Sequence, residues 1–149
     1  MEINNNIQEQ YLNFVNSEIL SEKGFDISTN ANWWILSVDE DDDSKKFFAG
    51  NNDELEDIIF IDEEKTHNIL HVLSVPTIQL AVDWIYENFK IWINVEMTGA
   101  CLFYAKFRMI DVDGQHHVGH FKENGETIRY KTPESAYQAA IHQTLTKLI

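Results

Sequence analysis

The stretch GACLFYAKFRMIDVDGQHHVGHFKENGETIRYK, residues 99–131, contains two turn signals, Asp113-Gly114 and Asn124-Gly125, each flanked by strand-forming residues. Asp-Gly and Asn-Gly accept the left-handed backbone of a tight hairpin, so this stretch predicts three antiparallel strands. KIWINVEM just before it alternates Ile91, Ile93, Val95 and Met97 with Trp92, Asn94 and Glu96, the period of a half-buried strand. Upstream, VPTIQLAVDWIYENF places Pro76 near a first helical turn and repeats Leu80, Ala81, Trp84, Ile85 and Phe89 at three and four. Downstream, TPESAYQAAIHQTLTKLI offers Thr132 as N-cap and Pro133 at the first helical position, with Ala136, Ala140, Leu145 and Leu148 turned toward a sheet. Helix, about four strands and helix is an α+β order, with an antiparallel sheet of about four or more strands packed against helices.

The first half is less regular. Ile3, Ile7, Tyr11, Phe14, Val15, Ile19 and Leu20 recur at helical spacing through residue 22, and KGFD stops that helix with Lys23 in its last turn and Gly24 at the left-handed position. WWILSV and DIIFI read as strands, joined by an acidic loop region at about 39–57. DEEKTHNILHVLS suits a strand or a short helix equally. A chain of 149 residues fits a single domain, 1–149, and a body of that size buries about 68–70% of its unfolded surface.

The formal charge of −14 is concentrated: residues 1–75 hold 17 acids and 4 bases, residues 76–149 hold 8 and 7. With 44% hydrophobic residues the excess sits on a folded body rather than a disordered chain. Phosphate contacts need clustered Lys and Arg, so the balance argues against direct binding of nucleic acid. Lys106, Arg108, Lys122, Arg129 and Lys131 form a lone basic patch, read as a solvated sheet edge. DEDDDSKKFFAG fails as a calcium loop, since Ser44 takes the glycine position and Gly50 that of the bidentate glutamate. What remains is a solubilising face or a surface that meets a basic partner. Asp39, Glu40, Asp41, Asp42, Asp43, Asp53, Glu54, Glu56 and Asp57 supply the charge, with Phe47 and Phe48 as anchors beside it.

Signals for chemistry are weak. His67 and His71 have zinc-helix spacing, but Asn68 stands where a metalloprotease has its general base. His116 and His120 share a strand face about 13 Å apart, too far for one ion. Cys101, the one cysteine, reads as a small buried hydrophobe, and its solitude fits a reducing cytoplasm. MEINNNIQEQ has no secretory pattern, and no apolar run reaches the roughly 18 residues of a membrane span. No phosphate loop or nucleophile elbow occurs, so neither enzyme activity nor a cofactor or metal is expected.

EILSEKGFD at 18–26, VPTIQLAVDWIYENFKIWINV at 75–95 and YKTPESAYQAAIHQTLTKLI at 130–149 together resemble a group of small proteins of phages, prophages and mobile elements. In that group a helix ends in KGFD, a PTQxLLQKWLR helix leads into a strand, and a TYEEALEAAI helix follows. The matching positions here are Lys23–Asp26, Pro76, Thr77, Gln79, Leu80, Trp84, Ile91, Ile93, Thr132, Glu134, Ala136, Ala139 and Ile141. Ile85, Tyr86 and the acidic insert at 39–57 depart from the pattern. The resemblance carries no assigned activity. It implies a gene of a phage or mobile element, and hence a non-catalytic cytoplasmic inhibitor of a host nuclease or CRISPR effector with a basic surface, of anti-CRISPR or anti-restriction type. The alternatives are a self-assembling structural or regulatory phage protein, and a small metal- or ligand-binding enzyme built on the His116–His120 hairpin.

Overall fold

A computed structural model of the protein describes residues 10–38, 44–49 and 67–149; at 37, 38, 44, 45, 47, 49 and 67–70 it describes the backbone alone. The fold is α+β, with helices packed on antiparallel strands. The chain divides into two compact units, Asn13–Pro76 and a second that takes in the stretch ending at Leu12 together with Thr77–Ile149. The first unit is therefore an insert in the chain of the second. Within the second, Tyr11 forms an antiparallel bridge to Thr77, and the N–H of Ile78 donates to the carbonyl of Gln10 at 2.9 Å. The chain thus leaves and re-enters that unit at one place, the geometry that tolerates an inserted domain.

In the insert, helix α1 (Phe14–Glu22) starts later than its apolar spacing predicts. Asn13 is the N-cap and accepts from the N–H of Asn16 at 2.9 Å, while Tyr11 is spent on its bridge. That start buries Asn16, Ser17 and Leu20, and leaves Val15, expected on the apolar face, 53% exposed. The helix ends as KGFD predicts. Gly24 lies at φ 112°, and the N–H groups of Phe25 and Gly24 donate to the carbonyls of Leu20 and Ser21, a Schellman cap that buries Phe25.

Strands β1 (Ala31–Val38), β2 (Ser44–Ala49) and β3 (His67–Val75) form an antiparallel sheet in the order β2-β1-β3. SKKFFA, placed by sequence inside a long acidic loop, is a strand: it pairs with β1 from Asn32↔Ala49 to Ser37↔Ser44. The loop reading fails because β1 is apolar enough to be a middle strand and needs partners on both edges. The ambiguous HNILHVLSV resolves as strand for the same reason, with a bulge against Ile35 and Leu36. Trp33 meets Phe14 at 5.5 Å and Phe48 at 5.4 Å, both edge-on, and the Lys46 ammonium lies 3.9 Å from the Phe14 ring centre. The indole N–H groups of Trp33 and Trp34 are buried without an acceptor among the described residues, and Trp33 is held by its ring contacts. The predicted DIIFI strand lies outside the described residues.

In the second unit, α2 (Ile78–Phe89) is capped by the Thr77 hydroxyl at 3.1 Å and closed by Lys90 at φ 56°. It buries Ile78, Ala81, Val82 and Ile85, so Ala81 and Ile85 of the expected stripe lie in the core while Leu80, Trp84 and Phe89 are half-buried. Strands β4 (Ile91–Met97), β5 (Phe103–Ile110) and β6 (His116–His120) make the second antiparallel sheet, in chain order. The ribbon β7 (Lys122–Glu123) and β8 (Glu126–Thr127) turns at Asn124 and Gly125, φ 52° and 81°, the two positive values of a type I′ turn. Helix α3 (Pro133–Gln143) begins at the predicted Thr132 cap and ends in one π-type turn, Thr144–Leu148. Ile91, Ile93 and Ala105 on the sheet and Ala136, Ala140, Ile141 and Leu145 at the C-terminal end form the core with α2.

Cys101 corrects its sequence reading: it is exposed and left-handed at φ 59°, in a turn whose N–H groups at Ala100 and Leu102 donate to the Thr98 hydroxyl. Apolar neighbours in the chain suggested burial, but Phe103, Tyr104 and Ala105 belong to the strand that follows the turn. The native protein is therefore expected to react fully with a thiol reagent before unfolding; protection released only by denaturant would contradict this placement. Gly119 lies across from Phe107, whose ring carbons would sit 2.5 and 2.8 Å from an added Cβ. Gly119→Ala is expected to lower unfolding stability by about 1–3 kcal/mol, read by chemical denaturation, because the ring has to move.

Candidate functional site

Of the residues expected to bind a partner, Asp39, Glu40, Asp41, Asp42, Asp43, Asp53, Glu54, Glu56 and Asp57 lie outside the described residues. Phe47 is known by its backbone position on β2, opposite Trp34. Phe48 is 44% exposed, with its ring held against Trp33. It is a fixed, half-open aromatic on the edge strand of its sheet.

The best-defined surface is one the sequence reading passed over, the outer face of β4–β5–β6. Ile91 and Ile93 on β4 and Ala105 on β5 point to the core, so alternation turns Trp92, Asn94, Glu96, Tyr104, Lys106, Arg108 and Ile110 outward. Register then sets them in rows: Ile110 beside His116, Trp92–Arg108–Val118, Asn94–Lys106–His120, and Glu96 beside Tyr104. Lys106 and Arg108 are thus on the middle strand, which corrects their reading as a sheet edge. The hairpin position had suggested an edge, but β6 pairs beyond them. Lys122, Arg129 and Lys131 are exposed elsewhere on the ribbon and the segment after it.

At one end of this face the polar groups satisfy one another. The Glu96 carboxylate takes Lys106 Nζ at 2.6 Å, the Tyr104 hydroxyl at 2.6 Å and Asn94 Nδ2 at 3.3 Å. Lys106, then Tyr104, hold the Glu96 carboxyl below the usual carboxylate range, and the Glu96 bond raises the Tyr104 phenol. Tyr104 also meets the His120 ring at 5.8 Å. At the other end an open groove of about 550 Å³ is lined by Tyr86, Trp92, Arg108, Ile110, His116 and Val118, among others. Tyr86 of α2 stands edge-on to Trp92 at 5.6 Å and 88°.

The histidines are not gathered. His67 and His71 lie on strand β3, so helical zinc spacing does not apply to them. His116 and His120 share the outer face two rows apart, and His117 binds Asp111 at 2.8 Å. His117, then the N–H of Gln115, holds the Asp111 carboxyl below its usual range and secures the β5–β6 turn. Among the described residues no three His, Cys, Asp or Glu are placed to hold a metal ion. No helix among them is long and apolar enough to cross a membrane.

No family model, curated protein or solved structure matches this chain. Trp92 and Arg108 were legible only as outward positions of two alternating strands; pairing made them neighbours.

Glu96 has a lowered folded pKa, so its contribution to stability is present above the usual carboxylate range and is lost as pH falls through the folded value. An NMR titration of the carboxyl carbons is expected to place Glu96 below the exposed glutamates, and Lys106→Met to move it upward. An unmoved midpoint would show that the ion pair does not form in solution.

Proposed function

We propose that this protein is a non-catalytic, cytoplasmic protein of phage or mobile-element type that binds and inhibits a host nucleic-acid-handling protein, a CRISPR effector or restriction nuclease, through an acidic, aromatic-edged surface. The observation that carries this reading is the β1–β2 pairing. Five consecutive acids, Asp39–Asp43, fall in sequence between two paired strands whose last pair is Ser37↔Ser44, and Phe48 lies half-exposed on the edge strand that follows, four residues beyond that pair. Acids in one unbroken run keep their charges close together in the chain, where they complement a cluster of Lys and Arg built to hold phosphates. Charge of this kind contributes on-rate and orientation, and a fixed ring such as Phe48 contributes residence time. The net balance of the chain excludes the polyanion that such a partner naturally binds.

The test uses a purified effector nuclease and a DNA-cleavage assay, with the wild-type protein and with Asp41→Lys, Asp42→Lys and Asp43→Lys combined. The reading predicts inhibition by the wild-type protein that weakens from low to physiological salt, where the screening length is about 8 Å. It predicts about tenfold or greater loss in the triple variant, since several desolvated charge pairs are reversed at once. Equal inhibition by both proteins would remove the acidic run from the interface.

A further inference from the structure

The groove on β4–β5–β6 belongs to the other unit and calls for its own account. Its volume, about 550 Å³, lies within the range of small-molecule sites, roughly 300–1,000 Å³. Two features set it apart from ordinary sheet surface. The first is Trp92, which is fixed by its edge-on contact with Tyr86 yet 40% exposed. A held ring with open surface gives a planar ligand a contact without the cost of ordering the side chain.

The second is the difference between the two cations of the middle strand. Lys106 is taken by Glu96 at 2.6 Å, whereas Arg108, one pleat along and directly across from Trp92, makes no ion pair among the described residues. A guanidinium stays charged at every physiological pH and presents paired N–H donors that match a carboxylate or a phosphate. Residues 76–149 are nearly balanced, with 8 acids and 7 bases, so Arg108 stands exposed without the acidic excess of the first half around it in the chain. The overall field opposes a polyanion, so a ligand carrying one or two charges is the occupant that this balance admits.

We propose that the groove binds a small planar aromatic anion, with its ring against Trp92 and its anionic group on Arg108. Val118, 59% exposed in the same row, and Ile110 supply the apolar floor, and His116 beside Ile110 adds a polar group at the rim. The shared chemistry is a ring joined to an oxyanion, and the oxyanion is either a phosphate or a carboxylate.

Isothermal titration with four probes tests this: adenosine 5′-monophosphate, 2-naphthoate, adenosine and inorganic phosphate. At least one of the two ring-bearing anions is expected to bind, and which one does identifies the oxyanion. Adenosine alone and phosphate alone are expected to bind about tenfold more weakly or less, because each lacks one of the two contacts. Arg108→Gln, a substitution at an exposed site that keeps the fold, is expected to weaken binding about tenfold or more, and the Trp92 indole N–H resonance is expected to shift on titration. The proposal is overturned if neither ring-bearing anion binds at millimolar concentration, if adenosine binds as well as its monophosphate and 2-naphthoate does not bind, or if Arg108→Gln leaves the affinity unchanged. None of these outcomes bears on the acidic connection, whose variants carry their own test.

Discussion

Each unit is organised by its middle strand, β1 in one and β5 in the other, and the rest of the structure depends on both edges of that strand being paired. A strand apolar enough to lie in a core presents two rows of backbone N–H and C=O groups that burial would leave unsatisfied. β1 answers by recruiting SKKFFA on one side and HNILHVLSV on the other, and β5 by holding β4 and β6. Once both edges are fixed, side-chain alternation has no freedom left. Trp33 must face Phe48 and Leu73, and Arg108 must face Trp92 and Val118.

This constraint also sets the electrostatics of the second sheet. Most of the acids of the chain's first half lie outside the described residues. Two bases of the second unit, Lys106 and Arg108, are carried by its middle strand, where register determines which of them meets an acid. Glu96 reaches Lys106 diagonally across β4–β5, and nothing on β6 brings a carboxylate to Arg108. The Glu96–Lys106 pair is partly exposed and contributes little to stability, yet it divides the face into a satisfied end and an open one.

Much of this was legible in the sequence, and the misses share a cause. Gly24, Thr132 and Asn124-Gly125 act through local backbone chemistry, which neighbouring residues encode, and each stands in the structure as its motif implies. The alternation of KIWINVEM was equally plain at Ile91 and Ile93, and faded toward Met97, which is 62% exposed. What escaped was decided by pairing between distant segments. Lys45 and Lys46 gave SKKFFA the look of a loop, although an edge strand accepts lysine readily. Tyr11 fits a helical stripe until Thr77 claims it, and Arg108 looks like a solvated base until β6 closes over the far edge of β5. All nine acidic residues named as a binding face lie outside the described residues, so the sequence remains the source for them.

The central claim is that the acidic run joins two paired strands rather than opening a long loop. Amide hydrogen exchange across Ser44–Ala49 tests it most directly. A strand paired with β1 along one edge predicts alternating protection, with the amides that donate to β1 slow and those facing away fast. Uniform exchange of all six residues at the rate of an unstructured chain would contradict the pairing, and with it the account of the acidic surface.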